Sequence, residues 1–277
     1  MLQPRWKSKV TEDLNKRDFA QTLARGLSCL EVLAELKAPA GCSQIAAAME
    51  VSRAAARRIL LTLEHLGYVI EDRGLFAPSP KVLSLGRGML AKTTLWSAVA
   101  PEVVGIADRY NEPCSISVLD GLDIVFVCRD STRRIFTSRL EAGDRLPAHC
   151  SASGKVLLAA LPDRELDQRI SAAGLSKRGT GSITEPIMLK NALAAVRERR
   201  FALAVDEMED GTLSLAVPLS DRGGRIIAAM SFASHRTRMT VDHLQSDVLP
   251  ILRSAAKRVE TVIADYQDRG WAIFGSR

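Results

Sequence analysis

The sequence predicts an α+β protein of two domains: a small helical N-terminal domain closed by a β-hairpin, and a larger C-terminal domain built on a sheet. Three observations predict it. The chain has 277 residues, enough for two domains of ordinary size. Apolar residues recur at three- and four-residue spacing through the first third. Beyond about residue 96, short alternating strands bounded by Asp-Gly and Gly-Gly turns interleave with helices, which suggests an α+β layer arrangement with one central sheet. The expected division is an N-terminal extension over 1–18, a first domain over 19–80, a linker helix over 81–96 and a second domain over 97–277.

Hydrophobic residues make up 47% of the chain and charged residues 25%, the mix of a soluble globular protein. No apolar run reaches the ~18–20 residues that span a bilayer. Residues 1–9 are basic, but no apolar core or cleavage site follows them, so no membrane partner is expected and the cytoplasm is the expected compartment. The five cysteines, Cys29, Cys42, Cys114, Cys128 and Cys150, include no C-x-x-C pair and are odd in number. Neither a disulfide framework nor a closed zinc site fits that spacing, and no metal or cofactor is called for. A net charge of +6 permits nucleic-acid binding without showing it.

Residues 19–36 read as a helix whose Leu23, Leu27, Leu30 and Leu33 share a face. Residues 37–41, with Pro39 and Gly41, break it. Ser43 is a good N-cap for a short helix over 44–49 with Ile45, Ala46 and Met49 as its apolar residues. After the turn Glu50-Val51, Ser52 is a second N-cap, and a third helix runs from 53 to about 66. Its Ala56, Ile59, Leu60, Leu63 and Leu66 follow the i, i+3, i+4, i+7 pattern and should face the core. Arg53, Ala54, Arg57, Arg58 and Thr62 fall on other faces. Three arginines and no acid in the first two turns add to the positive end of the helix dipole.

A short helix, a tight turn and a second helix starting with small and basic residues is the layout of a helix-turn-helix. Residues 68–76 then read as a hairpin about an Asp72-Arg73-Gly74 turn, in the place of a wing. An ordinary bundle with a solvated arginine face is the plainer alternative; the ordered set of helix, helix-turn-helix and hairpin favours a winged helix-turn-helix. Double-stranded DNA is the expected partner. The candidate contacts are Ser43, Gln44, Ser52, Arg53, Ala54, Ala55, Arg57, Arg58, Thr62 and Arg73. The competing reading is a signalling module that binds a small acid independently of DNA.

In the C-terminal two thirds, helices are expected over 98–110, 157–161, 164–170 and 189–200. Strands are expected over 114–119, 124–127 and 135–140, with a hairpin of 213–219 and 225–232 about Asp221-Arg222-Gly223-Gly224. A last helix is capped by Thr240 and runs to about 266, with Pro250 a candidate kink. A sheet cupped by loops can hold a small molecule. The loop over 143–154 ends in Ser151-Ala152-Ser153-Gly154 and opens a helix, whose free N–H groups and dipole suit an anion such as a carboxylate. A simple N-cap by Ser151 or Ser153 is the plainer alternative. Arg133 and Arg134 precede a strand and point to opposite faces, so one of them, Arg134 by preference, can enter the cup and pair bidentately with a carboxylate. Ser214 and Ser231 offer hydroxyls from the hairpin strands, with a surface position as the alternative.

No enzyme is expected. His65, His149, His235 and His243 are scattered, and neither a metal motif, a nucleophile elbow nor a phosphate-binding loop is present. The carboxylates Asp206, Glu207, Glu209 and Asp210 suit a solvated loop, or a single acid reading a ligand hydroxyl, better than acid–base chemistry.

These residues resemble a known family. Phe19-Ala20-Gln21-Thr22-Leu23-Ala24-Arg25-Gly26-Leu27 and residues 52–63 are similar to the DNA-binding domain of IclR-type bacterial regulators. Leu146-Pro147-Ala148-His149, Ser153-Gly154-Lys155-Val156-Leu157-Leu158-Ala159 and Asp221-Arg222-Gly223-Gly224-Arg225-Ile226 extend the resemblance, which covers about 19–263. Ser52-Arg53-Ala54-Ala55-Ala56-Arg57-Arg58 and Thr132-Arg133-Arg134-Ile135 look most like the subgroup that regulates protocatechuate, p-hydroxybenzoate and β-ketoadipate catabolism. The resemblance implies a GAF-like effector domain, dimers or tetramers, and a DNA-binding regulator, in many members an activator. It implies an effector such as p-hydroxybenzoate, protocatechuate or β-ketoadipate, and admits RNA polymerase as a further partner. It places the effector pocket on Ala152, Ser153 and Gly154, on Asp206 or Glu207, and on Ser214 and Ser231. The chain departs from the family pattern at Thr212-Leu213, where Leu-Arg is common, and at Ala233, where some members carry a second serine.

Overall fold

The computed structural model describes residues 19–36, 38–85, 95–130 and 140–268. The chain divides into two compact units, Met1–Ala91 and Lys92–Arg277. The first holds α1 (Gln21–Glu35), β1 (Ala40–Gly41), α2 (Cys42–Ala48), α3 (Arg53–His65), β2 (Val69–Asp72) and β3 (Leu75–Pro78). Ile45, Met49, Ile59, Leu60, Leu63 and Phe76 meet in its core with Cys29 and Leu33 from α1. The strands form an antiparallel sheet in the order β1-β3-β2. Arg73 and Gly74 at the β2–β3 turn both take left-handed backbone, φ 52° and 81°, as a two-residue hairpin loop requires.

Two local expectations, at Ser43 and Leu66, are corrected here, and the expected face of α1 is buried over only part of its length. Leu23 and Leu27 are 64% and 52% exposed, because only the C-terminal half of α1 reaches the core. Ser43 does not cap α2. Ala40 and Gly41 pair with Phe76 and Leu75, which holds the chain extended through Gly41, so the helix starts at Cys42 without a side-chain cap. Leu66 is exposed, because α3 ends at His65 and Gly67, at φ 79°, turns the chain so that the Tyr68 N–H donates to the Leu63 carbonyl.

The second unit holds α4 (Leu95–Tyr110), β4 (Cys114–Asp120), β5 (Asp123–Arg129), β6 (Arg145–Pro147), α5 (Ala152–Ala159), α6 (Asp163–Ala173) and α7 (Pro186–Arg199). Strands β7 (Ala202–Val205), β8 (Thr212–Ser220) and β9 (Ile226–His235) follow, and then α8 (Leu249–Asp268). The six strands form one antiparallel sheet in the order β6-β5-β4-β9-β8-β7. Alternate side chains serve two cores. Ile116, Leu215 and Phe232 pack under α4 and α8, with Val103, Leu252 and Val259. Phe126, Ala216 and Ala229 face α5, α6 and α7, with Leu158, Leu166 and Leu189.

The helix expected from residue 98 begins at Leu95, and Leu95 and Trp96 are buried in the first of these cores. Edge strand β6 and a short 3-10 turn, Ala148–Cys150, lie within the segment expected as a loop over 143–154. The strand expected over 135–140 falls almost wholly outside the described residues, as does the greater part of the linker helix over 81–96. Thr240 caps the last helical stretch, accepting from the His243 N–H at 3.2 Å. The irregularity expected at Pro250 is a π-type turn over Leu244–Val248, ahead of α8. Pro250 has no N–H for the carbonyl four residues back and its ring crowds that group, so the ladder widens there. No helix among the described residues is long and apolar enough to cross a membrane.

Glu112, buried after α4, ties the unit together. Its carboxylate accepts from Ser234 Oγ at 2.6 Å and from Arg238 Nε and Nη2 at 2.6 and 3.2 Å. Glu112→Ala removes three charge-assisted hydrogen bonds and leaves the buried Ser234 hydroxyl without this acceptor. It should lower the unfolding free energy by about 2–3 kcal/mol, read from urea denaturation followed by circular dichroism.

Candidate nucleic-acid interface and ligand cavity

In the first unit, α2, the turn at Glu50-Val51 and α3 form the expected helix-turn-helix. Glu50 takes left-handed backbone, φ 51°, and the Val51 N–H donates to the Ala46 carbonyl, so the chain reverses in two residues. Ser52 caps α3 as expected, its Oγ accepting from the Ala55 N–H at 3.2 Å. Ala56, Ile59, Leu60 and Leu63 anchor α3 in the core, which turns Arg53, Ala54, Arg57 and Arg58 outward. Ser43, Gln44, Ser52 and Thr62 are also exposed, whereas Ala55 is half-buried. The Thr62 hydroxyl donates within its own helix, to the Arg58 carbonyl at 2.8 Å. Leu61 shares this outward face at 43% exposure and was not expected there from the sequence. Arg73 stands at the hairpin tip, almost wholly exposed. The surface therefore presents four guanidinium groups around one helix and one hairpin, the chemistry of phosphate and base-edge contact.

In the second unit, a narrow cavity of about 40 Å³ opens between α5 and the sheet. Its walls bring together Ala152, Ser153, Glu207, Ser214 and Ser231 from the sequence-derived set. The helix start follows the plainer alternative, an N-cap by Ser151: its Oγ accepts from the Gly154 N–H at 3.0 Å, and the Ala152 N–H reaches Ser214 Oγ at 3.4 Å. Ile124, Phe126, Leu146 and Met208 supply apolar walls, and Ala233 offers a methyl where a second hydroxyl was in question.

Two expected residues lie elsewhere. Gly154 is not in the wall. Its Cα packs against the Ala148 backbone so closely that a Cβ would sit 2.0 Å from the Ala148 carbonyl oxygen. Asp206 braces the loop that follows β7, accepting from the Gly211 N–H at 2.7 Å and from Arg236 Nη1 at 2.6 Å. Arg133 and Arg134 fall outside the described residues.

The guanidinium that the structure places in the wall is Arg129, which the sequence reading missed. It stacks over Phe126, 4.8 Å from the ring centroid, and donates to the Leu140 carbonyl at 3.1 Å and to Ser115 Oγ at 3.4 Å. Ser115 Oγ in turn lies 3.1 Å from Ser231 Oγ, its register partner on β9. Burial pulls the Arg129 pKa below its ordinary value, but a guanidinium remains charged. Strict alternation from Ile124 and Phe126 would turn Arg129 to the opposite face. A β-bulge intervenes: Ile116 pairs with Cys128, but Ser117 pairs with Phe126, so Val127 is the extra residue and the phase flips.

Glu207 comes from the loop after β7, and its Oε1 accepts a short hydrogen bond from Lys155 Nζ. Both side chains are buried, at 8% and 5% exposure. Burial raises the Glu207 pKa and Lys155 opposes the rise. His149, buried beside α5, has its pKa lowered by burial and meets the Ser176 carbonyl through Nε2 at 2.9 Å.

The sequence pattern of the IclR helix-turn-helix domain matches residues 22–73, and that of the bacterial transcriptional regulator IclR C-terminal domain matches residues 88–261. The chain belongs to the IclR family. It is accordingly a DNA-binding transcriptional regulator and not an enzyme, and the reading independent of DNA is set aside. It is 35% identical over 241 residues to the Pca regulon regulatory protein of Pseudomonas putida, covering 87% of this chain and 83% of that one. It is 31% identical over 259 residues to the p-hydroxybenzoate hydroxylase transcriptional activator of Acinetobacter baylyi, covering 91% and 95%. Among solved structures it resembles the inducer-binding domain of a PobR double mutant from Acinetobacter, in complex with 3-hydroxybenzoic acid. That likeness has a TM-score of 0.57 at 30% identity and covers 61% of this chain and 98% of the other.

Arg57 is exposed near the start of α3, the helix that Ser52 caps. Arg57→Ala should weaken operator binding by roughly 1–3 kcal/mol without changing thermal stability. Mobility shifts on operator and scrambled duplexes, beside a melting curve, check this; unchanged operator affinity would take Arg57 out of the interface.

Proposed function

We infer that this IclR-family chain is a cytoplasmic activator of aromatic-acid catabolic genes. It binds its operator as a homodimer or a dimer of dimers, α3 in the major groove and the hairpin against the backbone, and RNA polymerase is its downstream partner. Residues 81–96 link the DNA-binding unit to the effector unit. A hydroxybenzoate-type acid, p-hydroxybenzoate or protocatechuate, occupies the cavity.

The observation that carries this reading is a guanidinium set beside serine hydroxyls inside apolar walls. Arg129 joins Arg133 and Arg134 as a candidate for the carboxylate, and is the one in the cavity wall among the described residues. Its Ser115 contact and its seat on Phe126 fix the guanidinium plane for paired hydrogen bonds. Phe126, Ile124 and Met208 suit the flat face of an aromatic ring better than the flexible chain of β-ketoadipate. The relatives named for the Pca regulon and for p-hydroxybenzoate hydroxylase support the same ligand class. For such an acid to regulate, it must bind one arrangement of the protein better than another.

Arg129→Met keeps the length of the stem and removes the charge. It should weaken p-hydroxybenzoate binding about 10- to 100-fold, the value of a charge-assisted pair, while operator affinity without ligand stays unchanged. Calorimetry gives the first quantity and a mobility shift over a salt series the second. Equal affinity for the acid in Arg129→Met and wild type would remove the carboxylate role from Arg129.

A further inference from the structure

Helix α3 carries an outward residue that the guanidinium chemistry of the interface leaves unused. Ala54, Arg57, Arg58 and Leu61 stand at i, i+3, i+4 and i+7, so they share one stripe of the helix. Ala56, Ile59, Leu60 and Leu63 bury the other side, and all four members of the stripe are exposed. Helices that lie in the major groove present base-contacting residues at this spacing. Seven residues advance about 10 Å along the helix axis, the length of some three base steps. The stripe holds no carboxylate, and it ends on Leu61, 43% exposed. A solitary exposed leucine costs the free protein little, so exposure alone assigns it nothing. Its place decides: one turn beyond Arg57 and Arg58, it enters the same groove as they do.

We propose that Leu61 is a specificity-determining residue that reads thymine in the operator by packing against its C5 methyl group. The proposal rests on the docking of α3 in the major groove given above and deepens it. Of the four bases, thymine is the one that presents a methyl group there. A leucine side chain gains by removing that methyl and its own from water. Against cytosine the same side chain covers an amino donor that it cannot pair, and against guanine two acceptors. Arg57 and Arg58 have the opposite chemistry, since their guanidinium groups suit phosphate oxygens and the O6 and N7 of guanine. Leu61 therefore adds affinity without adding a charge contact, and its share is insensitive to salt. A protein partner would need a wider apolar face: the exposed Arg57, Arg58 and His65 surround Leu61 at i−4, i−3 and i+4.

The test uses the full chain. Wild type first selects its preferred duplex from a pool with a randomised centre, and each thymine of that duplex is then replaced singly by deoxyuridine. The replacement removes the C5 methyl and leaves base pairing intact. Mobility shifts should show wild-type affinity falling about three- to fivefold at one thymine of each half-site, the value of one buried methyl. Leu61→Ala, a change at an exposed helical position, should keep the wild-type melting temperature and bind the thymine duplex several-fold more weakly. It should lose nothing further when deoxyuridine stands at that position. Its dependence on salt should match wild type, which the loss of a phosphate contact would not give. Leu61→Met, an apolar side chain of similar reach, should regain the sensitivity to the methyl group. If no deoxyuridine replacement weakens wild type, or Leu61→Ala keeps full sensitivity at every thymine, the assignment is overturned and the docking of α3 stands. If wild type selects no duplex from the pool, the docking is overturned and this assignment with it.

Discussion

Helix α5 crosses the ligand face of the sheet with all eight of its residues buried. A helix placed so cannot leave its first N–H groups or its charged side chains to water, and each must find a partner in the protein or in a ligand. Ser151 and Ser214 take the Gly154 and Ala152 donors. Lys155 forces a larger accommodation, because a buried ammonium needs an anion. Glu207 supplies it from a loop that must fold inward. That loop in turn draws in the segment before α7, where the Gly179 and Gly181 N–H groups donate to the Glu207 and Asp206 carbonyls at 3.0 and 2.8 Å. A Cβ at either glycine would stand 2.2 or 2.3 Å from a carbonyl oxygen. The cavity is the space left once these demands are met, which is why its polar groups come from separate stretches of chain across the sheet and α5.

The DNA-binding unit is governed by a simpler constraint. Its core is small, and α3 serves it with only one face, Ala56, Ile59, Leu60 and Leu63. The opposite face carries arginines that are free of any structural duty to that core, so it can be specialised for DNA at little cost to stability. Ser52 and the left-handed Glu50 fix where the helix begins, and with it which arginines come first.

What the sequence made legible follows from how local each cause is. The span and inward face of α3 are set by periodicity and a cap three residues from its partner, and both could be read directly. Ser43 has equal local merit as a cap, but a bridge between Ala40 and Phe76, far apart in the chain, decides where α2 starts. Leu23 and Leu27 obey the same spacing as Leu30 and Leu33; spacing names a face but not whether a neighbour reaches it. Ser214, Ser231 and the start of α5 were legible because a hairpin and a helix opening can be recognised from turns. Arg129 was hidden by a single extra residue in β5, which no alternation rule anticipates. The partnership of Lys155 with Glu207 spans 52 positions and leaves no trace in either local pattern.

The same geography bears on how binding could be converted into regulation. A ligand can shift the protein only through groups whose energy differs between two arrangements. Most of the cavity wall is a poor candidate, since β4, β8, β9 and the first turn of α5 are held by the sheet ladder and by two packed cores. Glu207 differs. Its side chain faces the cavity, while its main-chain carbonyl accepts from the Gly179 N–H and, at 2.6 Å, from Ser182 Oγ. One residue therefore joins the ligand space to the segment ahead of α7 through two bonds of its own, without the intervention of any rigid element. A ligand that favoured one position of the Glu207 loop over another would act on both of these carbonyl contacts at once.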